Sequence, residues 1–166
     1  MALVEYNGLP NEETVFKGLE LRIPYGPPIL KRRLPPAPGS GTQFVVSISR
    51  QECWLMRGDY IDKMWPCSTG YGEWTTRLGS FQVKTRMEMA KSSAYELDMP
   101  YWLGIYDVGS FENGIHGLPV RWSDGEKVWS NLIGSPATYG CAMLHDDDAE
   151  VLFEASYLGM PVHIVE

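Results

Sequence analysis

Six of the chain's twelve prolines fall between Pro24 and Pro38. Each removes a backbone N–H and fixes φ, so the stretch IPYGPPILKRRLPPAPGSG is neither helix nor central strand. It reads as an extended connector, residues 25–43, between a short N-terminal segment, residues 1–24, and a globular region, residues 44–166. The charge divides at the same place. Residues 1–43 carry five basic and four acidic side chains, whereas Phe44 to Glu166 carries nine against 17. The cluster Lys31-Arg32-Arg33 therefore belongs to the connector and reads as solvated linker charge.

From Phe44 the pattern changes to period two, and at 44% hydrophobic residues the remaining length is enough to bury a core. Phe44–Ser49, Gln51–Met56 and Tyr60–Cys67, with a turn at Gly58-Asp59, read as a β-meander. Gly79–Thr85, Trp102–Tyr106, Lys127–Trp129 and Pro161–Val165 are further expected strands. One helix is expected near the C-terminus. His145-Asp146-Asp147-Asp148 offers capping carboxylates, Val151, Leu152, Ala155 and Leu158 form a helical stripe, and Gly159 supplies the stop. His163 alternates with Val162 and Ile164 on the last strand and reads as exposed.

The net charge of −7 gives no footprint for a phosphate backbone, so nucleic acid is not an expected partner. No apolar run approaches the roughly 20 residues that span a bilayer, and Met1–Asn11 lacks the basic start and apolar stretch of a secretory signal. The expectation is a cytosolic protein, or one whose targeting segment lies outside this sequence. Of three cysteines, at least one is unpaired. A hairpin centred on Gly58 puts Cys53 opposite Lys63 and Cys67 opposite Ser49. At about 3.3 Å per residue that offset is about 13 Å, beyond the roughly 7 Å Cα limit of a disulfide. All three thiols are expected to be reduced.

Cys141 is the best-placed nucleophile. It ends Ser135-Pro136-Ala137-Thr138-Tyr139-Gly140-Cys141, a turn-forming segment able to aim successive N–H groups at one spot, as an oxyanion hole requires. His116, between glycines in Gly114-Ile115-His116-Gly117, is the candidate base 25 residues upstream. Cys141, His145 and His116 also compose a rival zinc set, which would need a fourth ligand from the acidic triplet.

IHG at 115–117 followed by TYGC at 138–141 resembles the L,D-transpeptidases with a YkuD-type catalytic domain. STG at 68–70, TRLGSFQV at 76–83, MPYWLGI at 99–105 and GMPVHI at 159–164 are similar to further elements of that family, in the same order. The resemblance implies a mainly β fold, a mixed β-sandwich or open barrel with one C-terminal helix. It implies Cys141 as nucleophile, His116 as general base, and the Gly117 carbonyl as the acceptor orienting the imidazole. Backbone N–H groups of Tyr139, Gly140 and Cys141 would hold the oxyanion, with Thr138 beside them; Tyr101 and Trp102 read either as substrate-side residues lining the cleft or as buried packing.

The implied activity is cross-linking of peptidoglycan. The acyl group of a stem tetrapeptide passes to the thiol and then to an acceptor amine, in the bacterial cell envelope or outside the cell. No metal or organic cofactor is implied. The alternatives are an L,D-carboxypeptidase, in which water resolves the acyl-enzyme, and an inactive wall-binding module. Met143 stands where the family carries Arg or Asn, which removes a polar group near the site. The long loop from His116 to Cys141 carries Trp122 and Trp129, which read as an aromatic wall or as packing. Residues 1–24 resemble the second half of a LysM module, which implies a glycan contact weakened by the missing first half.

Overall fold

The first two strands bury successive residues on both faces rather than alternate ones, as strands enclosed within a two-sheet protein do. The structure, a computed structural model, describes residues 41–58 and 60–166, and the expectations for residues 1–40 lie outside the described residues. In chain order the strands are β1 (Thr42–Ser47), β2 (Glu52–Arg57), β3 (Tyr60–Pro66), β4 (Gly79–Gln82), β5 (Thr85–Ser92) and β6 (Leu97–Val108). They continue with β7 (Phe111–His116), β8 (Val120–Arg121) and β9 (Ala142–Met143), then helix α1 (Asp146–Ala155) and β10 (Pro161–Val165). One sheet has the order β3-β2-β1-β10-β4 and the other β5-β6-β7-β9, with β8 paired to β6.

Both sheets are mixed. β10 runs parallel to β1, with Phe44 beside Val162, and β9 runs parallel to β7, with Ile115 beside Ala142. Their facing side chains, among them Phe44, Leu55, Leu103, Ile115, Leu144 and Val162, join Leu152 of α1 in one core. Burying each such side chain contributes about 1.5–3 kcal/mol, so this core is the main favourable term holding the sheets together. The chain is thus mainly β, a two-sheet arrangement with α1 as its one α-helix among the described residues. No helix among the described residues is long and apolar enough to cross a membrane.

Several expectations are corrected. The expected strand Gly79–Thr85 is two strands, because the chain changes sheets at Val83-Lys84: Val83 N–H donates to Met160 O, and Lys84 N–H donates to Gly104 O. β5 was not expected from its sequence. It is a mostly exposed edge strand, in which Arg86-Met87-Glu88-Met89 alternates but Met87 and Met89 stay at the surface. Lys127–Trp129 is not a strand: Trp129 has φ +65°, which turns the chain into a short 3-10 turn at Ser130–Leu132. α1 buries Ala149, Leu152 and Phe153, whereas Val151 and Leu158 are exposed, so the buried stripe is rotated from the expected one. His163 is buried, not exposed. Its strand lies between β1 and β4, its neighbour Val45 is also buried, and its Nδ1 lies 3.0 Å from Ser80 Oγ.

The cysteine expectation fails for a reason of register. Cys53 and Cys67 form a disulfide, with their Cα atoms 5.9 Å apart, and Cys141 is the free thiol. The hairpin turns just after Gly58 rather than on it, with Arg57 opposite Tyr60, and the β2–β3 ladder shifts by one more residue between Leu55 and Met56; together these set Cys53 opposite Trp65 rather than Lys63. Beyond the strand, Cys67 N–H bonds to Gln51 O, so the two cysteines lie on a short diagonal of the ladder.

Candidate active site

The β7–β9 pairing builds the site. Ile115 lies beside Ala142 and His116 beside Met143, so Cys141, one residue ahead of β9, comes up against Gly114, whose N–H points at Sγ from 3.5 Å. The thiol, just ahead of β9, and the imidazole-bearing residue, at the end of β7, are therefore brought together by neighbouring strands. Gly140 makes the approach possible. Its φ is +108°, and a Cβ there would collide with Asn113 Nδ2, so only glycine fits the turn before the thiol.

The 138–143 segment is held on its far side by Ser68 and Thr69. Thr69 O accepts the N–H groups of Ala137 and Thr138 at 2.8 and 3.0 Å. Ser68 and Met143 exchange both backbone hydrogen bonds at 2.8 Å. Buried Gln51 in turn fixes Thr69: its Oε1 accepts Thr69 N–H at 2.9 Å, and its Nε2 donates to Thr69 Oγ1 at 2.7 Å.

His116 Nδ1 lies 2.6 Å from Gly117 O. A carbonyl only accepts, so Nδ1 carries the hydrogen and Nε2 presents its lone pair. Gly117 is itself clamped. Its N–H donates to Pro100 O, the next N–H, of Leu118, donates to Asp146 Oδ1 at 2.7 Å, and a Cβ on Gly117 would lie 2.6 Å from that same oxygen. Asp146 is also ion-paired with Lys127. Burial pushes the His116 pKa down to about 4, against the opposing pull of the Gly117 carbonyl and the Asp146 charge.

Burial pushes the Cys141 thiol up to about 11, with the Gly114 N–H opposing and the Glu112 charge adding. Both shifts favour the neutral thiol and the neutral imidazole over a resting ion pair. Among the described residues the thiol's hydrogen bonds go to Gly114 N–H and to Asn113 Oδ1, 3.7 Å away, and none goes to the imidazole. Such a pair suits general-base chemistry, in which neutral Nε2 takes the thiol proton during attack rather than before it.

The expected oxyanion donors are only partly available. Gly140 N–H is occupied by Thr138 Oγ1 at 3.2 Å, and that hydroxyl donates to Cys141 O at 2.6 Å. Thr138 therefore shapes the turn instead of facing outward. The N–H groups of Tyr139 and Cys141 make no hydrogen bond among the described residues, which leaves them as the donors beside the sulfur.

Around Tyr139 the aromatic residues form a cluster. Its ring stacks on Tyr95 at 5.0 Å and meets Trp74 and Trp129 edge-on at 5.1 and 5.8 Å. The adjoining cavity, about 550 Å³, is lined by Tyr95, Trp129 and Tyr139 together with Arg121 and Lys127. Trp122 does not join this wall, since its Nε1 donates to Asp98 Oδ1 at 2.8 Å.

Tyr101 and Trp102 lie elsewhere than at an open cleft. Tyr101, at φ +57°, directs its ring to Phe153 and its hydroxyl to Glu150, both on α1. Trp102 is 4% exposed and stacks on His116. Met143 is fully buried, so no side chain at that position meets substrate without rearrangement. Among the described residues no three His, Cys, Asp or Glu side chains are placed to hold a metal, so the rival zinc set is not assembled.

Sequence reasoning missed Asn113, Tyr106, the contact of Asp146 with the His116 turn, and Tyr95 and Trp74 beside Tyr139, whereas Trp129 does join the aromatic wall expected of it. The signal for Asn113 was its presence in a strand, where asparagine is a poor fit unless its amide has a task.

Solved structures share this fold. An L,D-transpeptidase from Mycobacterium tuberculosis is 25% identical, with 77% of this chain covering 59% of that one at a TM-score of 0.63. One from Stackebrandtia nassauensis is 19% identical, with 81% covering 60% at a TM-score of 0.65. An LD transpeptidase solved in complex with imipenem is 21% identical, with 76% covering 60% at a TM-score of 0.63. The chain thus spans about 60% of the length of these proteins. No curated protein matches it. Residues 41–164, the span that holds both sheets, Cys141 and His116, match the family model of the L,D-transpeptidase catalytic domain, and the chain belongs to that YkuD family.

Proposed function

We propose that this chain carries a peptidoglycan L,D-transpeptidase activity, with Cys141 as nucleophile and His116 as its base. The observation that carries the reading is the β7–β9 pairing inside the family match. It sets Cys141 against Gly114, two residues before a histidine whose Nδ1 is fixed on Gly117 O.

In the reaction, Sγ bonds to the acyl carbon of a stem tetrapeptide while the thiol proton moves to Nε2. The N–H groups of Tyr139 and Cys141 face the developing oxyanion, each worth on the order of 3 kcal/mol. The imidazolium then gives its proton to the departing terminal D-amino acid, leaving a thioester. An acceptor amine attacks that carbonyl, passes its proton to Nε2, and the thiol is released with a new amide cross-link. The aromatic and cationic cavity beside Tyr139 supports recognition of a carboxylate-bearing peptide.

The buried Cys53–Cys67 disulfide favours the cell envelope or the exterior, because disulfides persist in oxidising compartments. A glycan contact through residues 1–24 rests on their LysM resemblance alone, and retention of a 1–43 peptide on glycan strands tests it.

The deciding experiment incubates the protein with imipenem and, separately, with tetrapeptide-containing muropeptides, reading both by mass spectrometry. The expected results are one covalent adduct, on Cys141, absent in Cys141→Ala, and cross-linked dimers with release of a D-amino acid. Tripeptide products without dimers would establish the carboxypeptidase instead. No adduct and no release would leave the inactive wall-binding module.

A further inference from the structure

The hydrogen-bond directions around Tyr106 fix what the thiol of Cys141 is doing. Arg77 N–H donates to the Tyr106 hydroxyl oxygen at 3.1 Å, and the hydroxyl's one proton goes to Gly140 O, also at 3.1 Å. With that proton spent, the Tyr106 oxygen can only accept from Asn113, 3.3 Å away, so the amide turns Nδ2 toward Tyr106. Its other end, Oδ1, is then left facing Sγ at 3.7 Å. An amide oxygen only accepts. The sulfur must therefore be the donor, as S–H, while Gly114 N–H occupies a sulfur lone pair from 3.5 Å.

We propose that Asn113 is a further catalytic residue, whose amide oxygen holds the Cys141 thiol protonated and aimed away from His116 until an acyl donor arrives. The inference deepens the proposed function and rests on it for its meaning in turnover. When Sγ bonds to the acyl carbon, the S–H bond breaks, its proton passes to Nε2, and the hydrogen bond to Oδ1 is given up. The device keeps a nucleophile in an oxidising compartment from reacting with adventitious electrophiles, since the thiolate and not the thiol is reactive. The ionisable groups around the sulfur are His116 and Glu112 on β7, Tyr106 on β6 and Tyr139 in the loop. Of these, Glu112 works in the same direction, raising the thiol's pKa.

Two near-isosteric substitutions separate this role from a packing role. Asn113→Leu removes the acceptor, and alkylation of Cys141 by iodoacetamide at pH 8 should become roughly three- to tenfold faster, the effect of losing one ordinary hydrogen bond. Asn113→Asp places a carboxylate on the sulfur and should slow alkylation about tenfold or more. A packing role would move both variants in the same direction, and that result, or no change in either, overturns the proposal.

Wild-type protein gives a reading that needs no variant. With Cys53 and Cys67 joined, Cys141 supplies the sole S–H infrared band of the chain. That band should be present at neutral pH and red-shifted from a free thiol, and its absence would mean a thiolate and would also overturn the proposal. These measurements do not depend on turnover. An imipenem adduct with unshifted alkylation would sink the Asn113 role alone, whereas opposed shifts without any adduct would sink the transpeptidase reading alone.

Discussion

The indole of Trp102 lies parallel to the imidazole of His116, their planes 13° apart and their centroids separated by 5.8 Å. The indole is itself tied, since Nε1 donates to Thr85 Oγ1 at 3.2 Å and to Glu112 Oε2 at 3.4 Å. Trp102 is thus the wall that keeps water from one side of His116, and it links β5, β6 and β7 at the base. Trp102→Ala should cost about 3–5 kcal/mol of stability through the cavity it leaves. It should also raise the histidine pKa from about 4 toward 6.5 as water enters. Trp102→Phe keeps a ring over the imidazole and should shift that pKa far less. Urea unfolding and NMR titration of the His116 ring check both, and an unmoved pKa in Trp102→Ala would refute the shielding role.

The depressed His116 pKa sets two pH limits. Because the folded value, about 4, lies below the unfolded value of 6.5, the unfolded chain binds more protons between these pH values. The stabilisation is therefore fully present above pH 6.5 and is lost as pH falls toward 4, by about 3 kcal/mol in all. Acylation needs neutral Nε2, so the acid limb of its rate should fall near pH 4, with a plateau through neutrality. A series of imipenem acylation rates at constant ionic strength reads the limb directly. A midpoint near 6.5 would show an imidazole open to water.

The candidate base and nucleophile were legible because glycine marks both of their turns. Gly140 and Gly117 are dictated by close backbone approach, and that requirement leaves a trace in the sequence. The meander was legible from its alternation and its Gly58 turn, although β1 and β2 bury successive residues rather than alternate ones. The Cys53–Cys67 bond was not, because a turn displaced from Gly58 and a one-residue shift in the β2–β3 ladder together decide which residues meet, and no residue between Leu55 and Lys63 announces the shift. Asn113 was hidden differently. Its role depends on a hydroxyl on β6 and a carbonyl in the loop, both distant in sequence, so spacing alone carries no sign of it.

Removing the disulfide should weaken both the fold and the site. It closes a loop of 14 residues, for which chain entropy gives a stabilisation of about 3 kcal/mol. Cys67 directly precedes Ser68 and Thr69, which hold the nucleophile segment through Met143, Ala137 and Thr138. The double variant Cys53→Ala/Cys67→Ala should melt on the order of 10 °C lower. It should also acylate more slowly at temperatures where it remains folded. Both sulfurs belong to fully buried residues, so dithiothreitol without denaturant should leave the wild-type bond intact over hours. Rapid native reduction, counted by mass after alkylation, would show that the bond is exposed by local opening.

Asp146 and Lys127 tune the base from outside it. Asp146 Oδ1 accepts Leu118 N–H, and its carboxylate pulls the His116 pKa upward while pairing with the Lys127 ammonium. Asp146→Asn keeps an acceptor for Leu118 but removes the charge, so it should lower the histidine pKa, and with it the acid limb of acylation, at small cost in stability. Asp146→Ala leaves the Leu118 N–H without that partner and should cost about 1–3 kcal/mol besides. Lys127→Met leaves the carboxylate uncompensated and should move the limb the other way, to higher pH. A purely structural role for the pair would lower the melting temperature in all three variants while leaving the limb in place. Limb positions and melting temperatures measured side by side therefore decide between tuning and scaffolding.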